Sequence, residues 1–230
     1  MGTSAASPSF AKMTMSFDAN NQASKERFYN IMVSQIECSK NYHAPIGCDQ
    51  YYFGNRGTGV IQSFNYDQPT SNQVSRLAGN LRTCIRREKE MCVIGYTPPD
   101  VDSEINGFAV NVNPAAPAIR GRMGCGYTAT GPNSPVATAG FCTDSWVRIP
   151  QGTNNLGNAP YVLTAPPAFI ACDRFCGKRL CNLDGGCSSS DHLTIYSKIR
   201  PFELQTEFAP ITSAQPNRGY KLNYFQQPCN

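Results

Sequence analysis

The chain has 230 residues, of which 16 % are charged, and its 20 basic and 16 acidic side chains give a formal net charge of +4. This mild excess argues against a nucleic-acid-binding surface, which carries a larger and more clustered basic charge. With 19 glycines and 17 prolines, the composition favours short strands joined by tight turns over long solvated helices. The sequence also contains no stretch approaching the roughly 20 apolar residues of a membrane-spanning helix.

The N-terminal residues predict an arm that precedes the main domain. Residues 1–8 are small and polar and contain no apolar signal-peptide core, so we expect a secreted protein whose signal has been removed, or a fragment. Apolar residues alternate weakly over 9–17 and occur on both parities over 28–36, and both segments predict strands. Residues 1–37 are therefore expected to form an arm with added strands. Such a strand can join the sheet of a neighbouring subunit, which predicts self-association through the arm.

Further along the chain, alternating and aromatic segments predict a series of strands. Gln50–Phe53 is aromatic and extended, and the glycine-rich Gly54–Gly57 predicts a turn. Over 107–112 the alternation places Phe108 inside and Ala109 outside. Other strands are predicted at 59–66, 81–87, 91–96, 146–149, 193–196, 202–208 and 220–225. Between them, segments rich in proline, glycine and small polar residues predict long loops at about 113–140 and 150–170.

Two aromatic features are candidates for packing or for recognition. Trp146 is the single tryptophan and lies on a predicted strand, which favours a core position. The run Tyr51-Tyr52-Phe53 places rings on both faces of a strand. One face of this strand is expected either to pack against the domain or to meet a protein partner, because tyrosine is enriched in interface cores.

Eleven cysteines set the strongest limit on the class of protein. A cytosolic chain has little use for so many thiols, so the count favours disulfides and an oxidising, extracellular compartment. Structural zinc is the alternative, because four cysteines lie close together with a histidine soon after them: Cys172, Cys176, Cys181, Cys187 and His192. Zinc sites prefer paired, regular spacings, whereas these gaps widen irregularly and the other cysteines would remain unexplained.

Four short motifs follow one another in a recognisable order: Gly-Val-Ile-Gln-Ser-Phe-Asn-Tyr at 59–66, Thr-Cys-Ile-Arg at 83–86, Cys-Thr-Asp-Ser-Trp-Val-Arg-Ile at 142–149 and Arg-Phe-Cys-Gly at 174–177. They resemble the opening strand, the cysteine strand, the Cys-x-x-Asp-Tyr strand and the Tyr-Cys-Gly closure of a CUB domain. A narrower set resembles arthropod secreted CUB-domain proteins, at 33–38, 44–51, 84–88 and 223–229. The resemblance covers about residues 38–229.

This resemblance implies an all-β fold, a CUB-like antiparallel β-sandwich of the jelly-roll type. The sandwich would be stapled by disulfides, extend over residues 38–229 and carry an N-terminal strand or arm. The resemblance also implies a Cys142–Cys176 disulfide and joins Cys84 to Cys48 or Cys38. The remaining cysteines are left without assigned partners: Cys92, Cys125, Cys172, Cys181, Cys187 and Cys229. The family usually has a further cysteine where Lys221 stands here, so one thiol is expected to be free or bonded to another chain.

Calcium is the one cofactor that the resemblance suggests. Calcium-binding CUB domains use a glutamate and two aspartates on loops, because hard cations prefer several oxygen ligands. The corresponding candidates here are Glu104, Asp144, Asp184 and Asp191. Ser145 stands where the family has its strand aspartate, and a shift of one residue turns a strand side chain to the opposite face. Apart from calcium, no cofactor is expected.

The sequence predicts no catalytic residues. His43 and His192 are the two histidines, and the neighbouring Ser188–Asp191 does not form a triad merely by adjacency. Hydrolase and phosphate-binding motifs do not occur. We expect a non-catalytic extracellular protein that binds other proteins or copies of itself, with neither a nucleic-acid partner nor a membrane span. The alternative is a targeting or regulatory module of a secreted hydrolase or protease system.

Overall fold

A computed structural model describes the chain over residues 13–14, 30–37, 39–40, 42–66, 77–99, 107–110, 121–124, 142, 145–154, 162–163, 170–171, 173–177, 179–180, 194–210 and 218–229. The chain divides into two units, residues 1–40 and 41–230. In the first unit, residues 30–37 lie outside any helix or strand. The strand predicted over 28–36 is therefore absent from its described part. Its apolar side chains are solvent-exposed, as shown by Met32 at 90 % and Val33 at 73 %, so they have no buried face that would select a strand.

The second unit is built from short strands, with a single 3-10 turn at Asn55–Gly57 as its helical element among the described residues. The strands are β1 Gln50–Tyr52, β2 Thr58–Gln62, β3 Gly79–Ile85, β4 Met91–Thr97, β5 Phe108–Ala109, β6 Gly121–Gly124, β7 Ser145–Arg148, β8 Val162–Leu163, β9 Ile170–Ala171, β10 Arg174–Gly177, β11 Ile195–Ser197, β12 Phe202–Phe208 and β13 Gly219–Pro228.

These strands form two main sheets. The six-stranded sheet has the order β1-β3-β12-β7-β10-β6, and the five-stranded sheet has the order β11-β4-β13-β2, with β5 also paired to β13. A separate pair joins β8 to β9. Among the described pairings, β1 beside β3 is the one parallel pair, and the others are antiparallel. In the two main sheets, neighbouring strands are not consecutive in the chain, because β1, β2, β3 and β4 alternate between one sheet and the other.

The core lies between the two sheets and follows the alternation of the longer strands. In β12, alternate side chains from Phe202 to Phe208 are buried, as predicted. In β13, Tyr220, Leu222 and Tyr224 are buried in the same way. The two inner faces meet where the Thr206 hydroxyl donates a hydrogen bond to the Tyr220 hydroxyl oxygen at 3.2 Å. The structure confirms the predicted disulfide-stapled antiparallel β-sandwich.

Two local predictions were wrong. Ala109 was expected to face solvent, yet it is fully buried. The reason is that this segment bridges the two sheets, since Ala109 pairs with Gly219 of β13 and Val110 forms a bridge with Gly177 of β10. The predicted loops also contain strands, with β6 inside 113–140 and β8 inside 150–170. Gly121–Gly124 carries little apolar alternation, so its pairing with β10 left no signal in the sequence.

Two buried tyrosines predict stability changes of opposite sign. The Tyr96 hydroxyl is buried without a hydrogen-bond partner among the described residues, and burial raises its pKa well above the usual value, so the phenol stays neutral. Tyr220 is equally buried, but its hydroxyl accepts a hydrogen bond from Thr206. We expect Tyr96→Phe to raise the free energy of unfolding by about 1 kcal/mol and Tyr220→Phe to lower it by about 1 kcal/mol. Equilibrium urea unfolding of both variants measures this, and a loss of stability in Tyr96→Phe would contradict it.

Candidate functional site

Three disulfides link segments of the sandwich among the described residues. Cys142 is bonded to Cys176 with an S–S distance of 2.07 Å, the pair that the resemblance implies. Cys84 is bonded to Cys48 rather than to Cys38. A third bond, which the sequence left open, joins Cys92 at the start of β4 to Cys229 after β13. The remaining cysteines lie outside the described residues: Cys38, Cys125, Cys172, Cys181 and Cys187.

The predicted calcium ligands and the polar loop with a histidine fall in parts of the chain that the structure does not describe. This applies to Glu104, Asp144, Asp184, Asp191, Ser188–Ser190 and His192. Within the described ranges, no group of three or more His, Cys, Asp or Glu side chains is arranged to hold a metal ion. The ring of His43 contacts the Ala44 carbonyl oxygen at 3.4 Å. Calcium binding therefore stays a prediction of the sequence.

Trp146 is buried, with 8 % of its surface exposed, which agrees with the predicted core position. Its ring, however, is covered by a charged side chain. Trp146 pairs across the sheet with Glu207, whereas the next residue, Val147, pairs with the inward-facing Thr206. The indole therefore lies on the outer parity of β7, and the Arg174 guanidinium covers its ring at 4.4 Å from the centroid. A cation over an indole face is a favourable stacking contact.

An aromatic patch lies beside β1 and consists of Tyr42, Tyr51, Phe53 and Arg86. Phe53 is its centre: its ring centroid lies 5.5 Å from that of Tyr51 and 6.1 Å from that of Tyr42, with the latter pair stacked. The Arg86 guanidinium lies 5.3 Å from the Phe53 ring centroid. Tyr42 is 39 % and Phe53 is 45 % exposed. Phe53 is thus partly open to solvent although three neighbouring side chains contact its ring.

The alternation of β1 explains why the three consecutive aromatic residues separate. Successive strand side chains point to opposite faces, so Tyr51 and Phe53 share the outer face and Tyr52 points inward. Tyr52 packs edge-on against Tyr224 with ring centroids 6.4 Å apart, and burial raises the pKa of Tyr52. The prediction that the rings occupy both faces of the strand is confirmed.

Two members of the aromatic patch were missed by sequence reasoning. Arg86 reaches the patch because β1 and β3 pair in parallel, and its backbone N–H donates to the Tyr52 carbonyl oxygen at 2.8 Å. Its guanidinium is also held by Glu88, with Arg86 Nη2 at 3.1 Å from Glu88 Oε1. Tyr42 comes from the segment before β1. The Arg86 contact has no local signal, because it depends on the pairing of β1 with β3, in which Gln50 is paired with Thr83.

A charged ladder crosses the outer face of the six-stranded sheet. Arg82 Nη2 lies 2.6 Å from Glu203 Oε2, and Glu203 Oε1 accepts a hydrogen bond from Gln205 Nε2 at 2.8 Å. Gln205 Oε1 in turn accepts from Arg148 Nη1 at 3.3 Å, and Arg148 Nε donates to Asp173 Oδ2 at 2.9 Å. These contacts link β3, β12, β7 and the residue before β10. The two arginine charges and the two carboxylate charges of the ladder cancel one another.

Comparison with known proteins agrees with this architecture. The family model described as the animal CUB domain matches residues 45–227, which includes every described strand except the last residue of β13. A search of curated proteins finds no match. In the described part of the chain, no helix has the length and apolar character needed to cross a bilayer. The matched span covers most of the chain, and the protein therefore belongs to the animal CUB domain family.

Proposed function

We propose that this protein is an extracellular, non-catalytic binding protein that recognises another protein through the aromatic patch formed by Tyr42, Tyr51, Phe53 and Arg86. CUB domains are in general non-catalytic modules that mediate protein interactions, and they and their disulfides are typical of extracellular proteins. The exposed, stacked Phe53 is the observation that carries the proposal. The domain family supplies the class of function, and the patch supplies the surface.

The composition of the patch fits a protein interface. Aromatic residues and arginine are enriched in the cores of protein–protein interfaces and dominate their binding energies. The Arg86 charge is paired with Glu88 at 3.1 Å, so the patch itself offers mainly aromatic surface. Ile46, in the segment between Tyr42 and β1, is also fully exposed.

The patch is held in a binding-ready arrangement before any partner arrives. Phe53 has ring contacts on Tyr42 and Tyr51, and the Cys48–Cys84 bond fixes the segment immediately before β1. Side chains that are already ordered lose less conformational entropy on binding. This pre-ordering favours recognition of a folded partner over adaptation to many different partners.

Removing the patch is expected to weaken partner binding without unfolding the domain. Partners are first collected from the extracellular fluid of the source tissue on immobilised wild-type protein and purified individually. Each is then titrated against the wild type and against the Tyr42→Ser/Phe53→Ser variant by surface plasmon resonance. We expect Kd to rise at least tenfold, because truncation of exposed aromatic anchors costs about 2 kcal/mol or more at an interface centre.

Val60→Ser provides the matched control. Val60 is 46 % exposed, almost the same as Phe53, but it lies on β2 in the five-stranded sheet. Thermal unfolding of both variants checks that the fold is kept. If a partner binds the patch variant as tightly as the wild type while Val60→Ser weakens binding, the interface lies elsewhere on the domain.

Two finer expectations remain proposals that rest on the sequence. Self-association through residues 1–24 concerns a segment of which only residues 13–14 lie among the described residues, and 63 % of Met13 is exposed. Calcium binding by Glu104 and the loop aspartates falls outside the described residues. Both would add to the proposed binding role, since an added strand or a bound cation would create a second contact surface.

A further inference from the structure

One end of the sandwich collects an unusual share of the positive charge. The cations lie in three turns: Arg56 between β1 and β2, three residues between β3 and β4, and two between β11 and β12. This basic end is formed by Arg56, Arg86, Arg87, Lys89, Lys198 and Arg200. Of these, all except Arg86 are solvent-exposed.

Contacts between the turns show that these cations belong to one surface. The Gly54 N–H, in the first turn, donates to Glu88 Oε1 at 3.4 Å in the second turn. In the third turn, the Arg200 guanidinium donates to the Cys92 sulfur at the start of β4. Cys92 is bonded to Cys229, whose N–H donates to the Glu90 carbonyl oxygen at 2.9 Å.

Gln226 of β13 connects the same turns from beneath. Its Oε1 accepts a hydrogen bond from the Glu88 N–H at 2.9 Å, and its Nε2 donates to the Arg86 carbonyl oxygen at 2.8 Å. Gln226 is 8 % exposed and also packs beneath Gly57, where a Cβ atom would meet the Gln226 Cβ at 3.0 Å. The cations are therefore presented on a fixed frame.

Within the three turns, the positive charge of this end is only partly cancelled. The three turns contain six cationic side chains and two acidic ones, Glu88 and Glu90, which leaves a formal excess of four positive charges. The whole chain has a formal net charge of +4. The formal charge of the three turns is therefore as large as that of the entire protein. The Lys89–Glu90 pair is 3.8 Å apart with side chains 92 % and 79 % exposed, and solvent screens such a pair strongly.

We propose that the basic end binds a sulfated polysaccharide. Four of its six cations are arginines, whose planar guanidinium groups bind tetrahedral oxyanions through two hydrogen bonds. The cations lie along turns at a strand end rather than inside a pocket, which suits a linear polyanion. The disulfides of the domain favour an extracellular compartment, where sulfated polysaccharides are the abundant linear polyanions.

The same surface is poorly suited to nucleic acid. Single strands bind where open aromatic faces stack on successive bases, but Phe53, a described ring that lies against one of these cations, already contacts Arg86 and Tyr42. Duplex recognition places a helix or a strand ribbon in a groove, and none projects from these turns in the described ranges. The proposal therefore commits to sulfate groups as the recognised chemistry.

Heparin affinity under increasing salt tests the proposal. Wild-type protein is titrated onto immobilised heparin, and log Kd is measured against log salt concentration. We expect Lys89→Gln to weaken binding about fivefold and Arg87→Gln/Lys89→Gln about twentyfold or more, with a shallower salt dependence because fewer counterions are released. Lys221→Gln is the matched control, because Lys221 lies near the beginning of β13 whereas the basic end adjoins the end of that strand. It is expected to bind within twofold of the wild type.

Each other result overturns the proposal. Equal loss in Lys221→Gln and Lys89→Gln would mean that net charge alone controls binding. Undiminished binding to chemically desulfated heparin, or tighter binding to single-stranded DNA, would remove sulfate as the recognised group. No heparin binding by the wild type at physiological salt would exclude the ligand. None of these results bears on the aromatic patch, whose partner is measured separately with variants that keep all six cations.

Discussion

Replacing Cys92 and Cys229 with alanine is expected to lower the free energy of unfolding by about 5 kcal/mol. This disulfide joins residues separated by 137 positions, so its loss releases the largest closed loop among the described disulfides. In the chain-entropy account, a cross-link stabilises mainly by restricting the unfolded chain, and the effect grows with the logarithm of loop length. Equilibrium urea unfolding, followed by Trp146 fluorescence, measures the change.

The Cys48→Ala/Cys84→Ala variant is the control for loop length. That bond spans 36 residues, for which the same account gives about 4 kcal/mol, or roughly 1 kcal/mol less. Cys84 is 5 % exposed, whereas Cys229 is exposed. Replacing Cys84 therefore also removes a buried sulfur atom, which makes the losses of stability in the two variants more similar. A loss below about 2 kcal/mol for the Cys92 and Cys229 variant would contradict the chain-entropy account of this disulfide.

The parts of the fold that could be predicted are those in which one strand carries its own signal. The segment Phe202–Phe208 alternates fully, because one face meets the core and the other carries the charged ladder. The Tyr51-Tyr52-Phe53 run separated correctly onto two faces for the same reason. Motif order also identified the family, since the CUB match at 45–227 lies within the span inferred from short cysteine-containing motifs.

The parts that could not be predicted depend on which strands become neighbours. Ala109 is buried because its segment spans both sheets, and alternation along one strand does not contain that information. Gly95 is a second example: a Cβ atom there would lie 2.6 Å from the Phe225 ring, so the glycine makes room for a ring from the adjacent strand β13. Only the pairing of Gly95 with Phe225 reveals this requirement.

The same limit applies to the candidate surfaces. The aromatic run predicted that one face of β1 could meet a partner, but Arg86 and Tyr42 join it only through the fold. The basic end was even less visible, because its cations come from three separate turns and the overall charge of +4 is mild. Dispersed charges become a surface only when the strand order brings the turns together.

Breaking the Arg148–Asp173 ion pair is expected to be the most costly single change in the charged ladder. Asp173 has a side chain only 5 % exposed, and Arg148 Nε at 2.9 Å is its one side-chain partner among the described residues. We expect Arg148→Met to lower the free energy of unfolding by about 2–3 kcal/mol, because it keeps the aliphatic stem but leaves a buried carboxylate without compensation. Urea unfolding at neutral pH gives the value.

Arg82→Met is the matched control, since Arg82 is similarly exposed, at 42 % against 40 % for Arg148. Its partner Glu203 keeps a second hydrogen bond from Gln205 at 2.8 Å, so the loss should be about 1 kcal/mol. Adding Asp173→Ala to Arg148→Met should recover more than half of the larger loss, because the buried charge is then gone. Equal losses in the two single variants, without recovery in the double variant, would mean that the arginine stems and not the buried carboxylate determine the stability of this face.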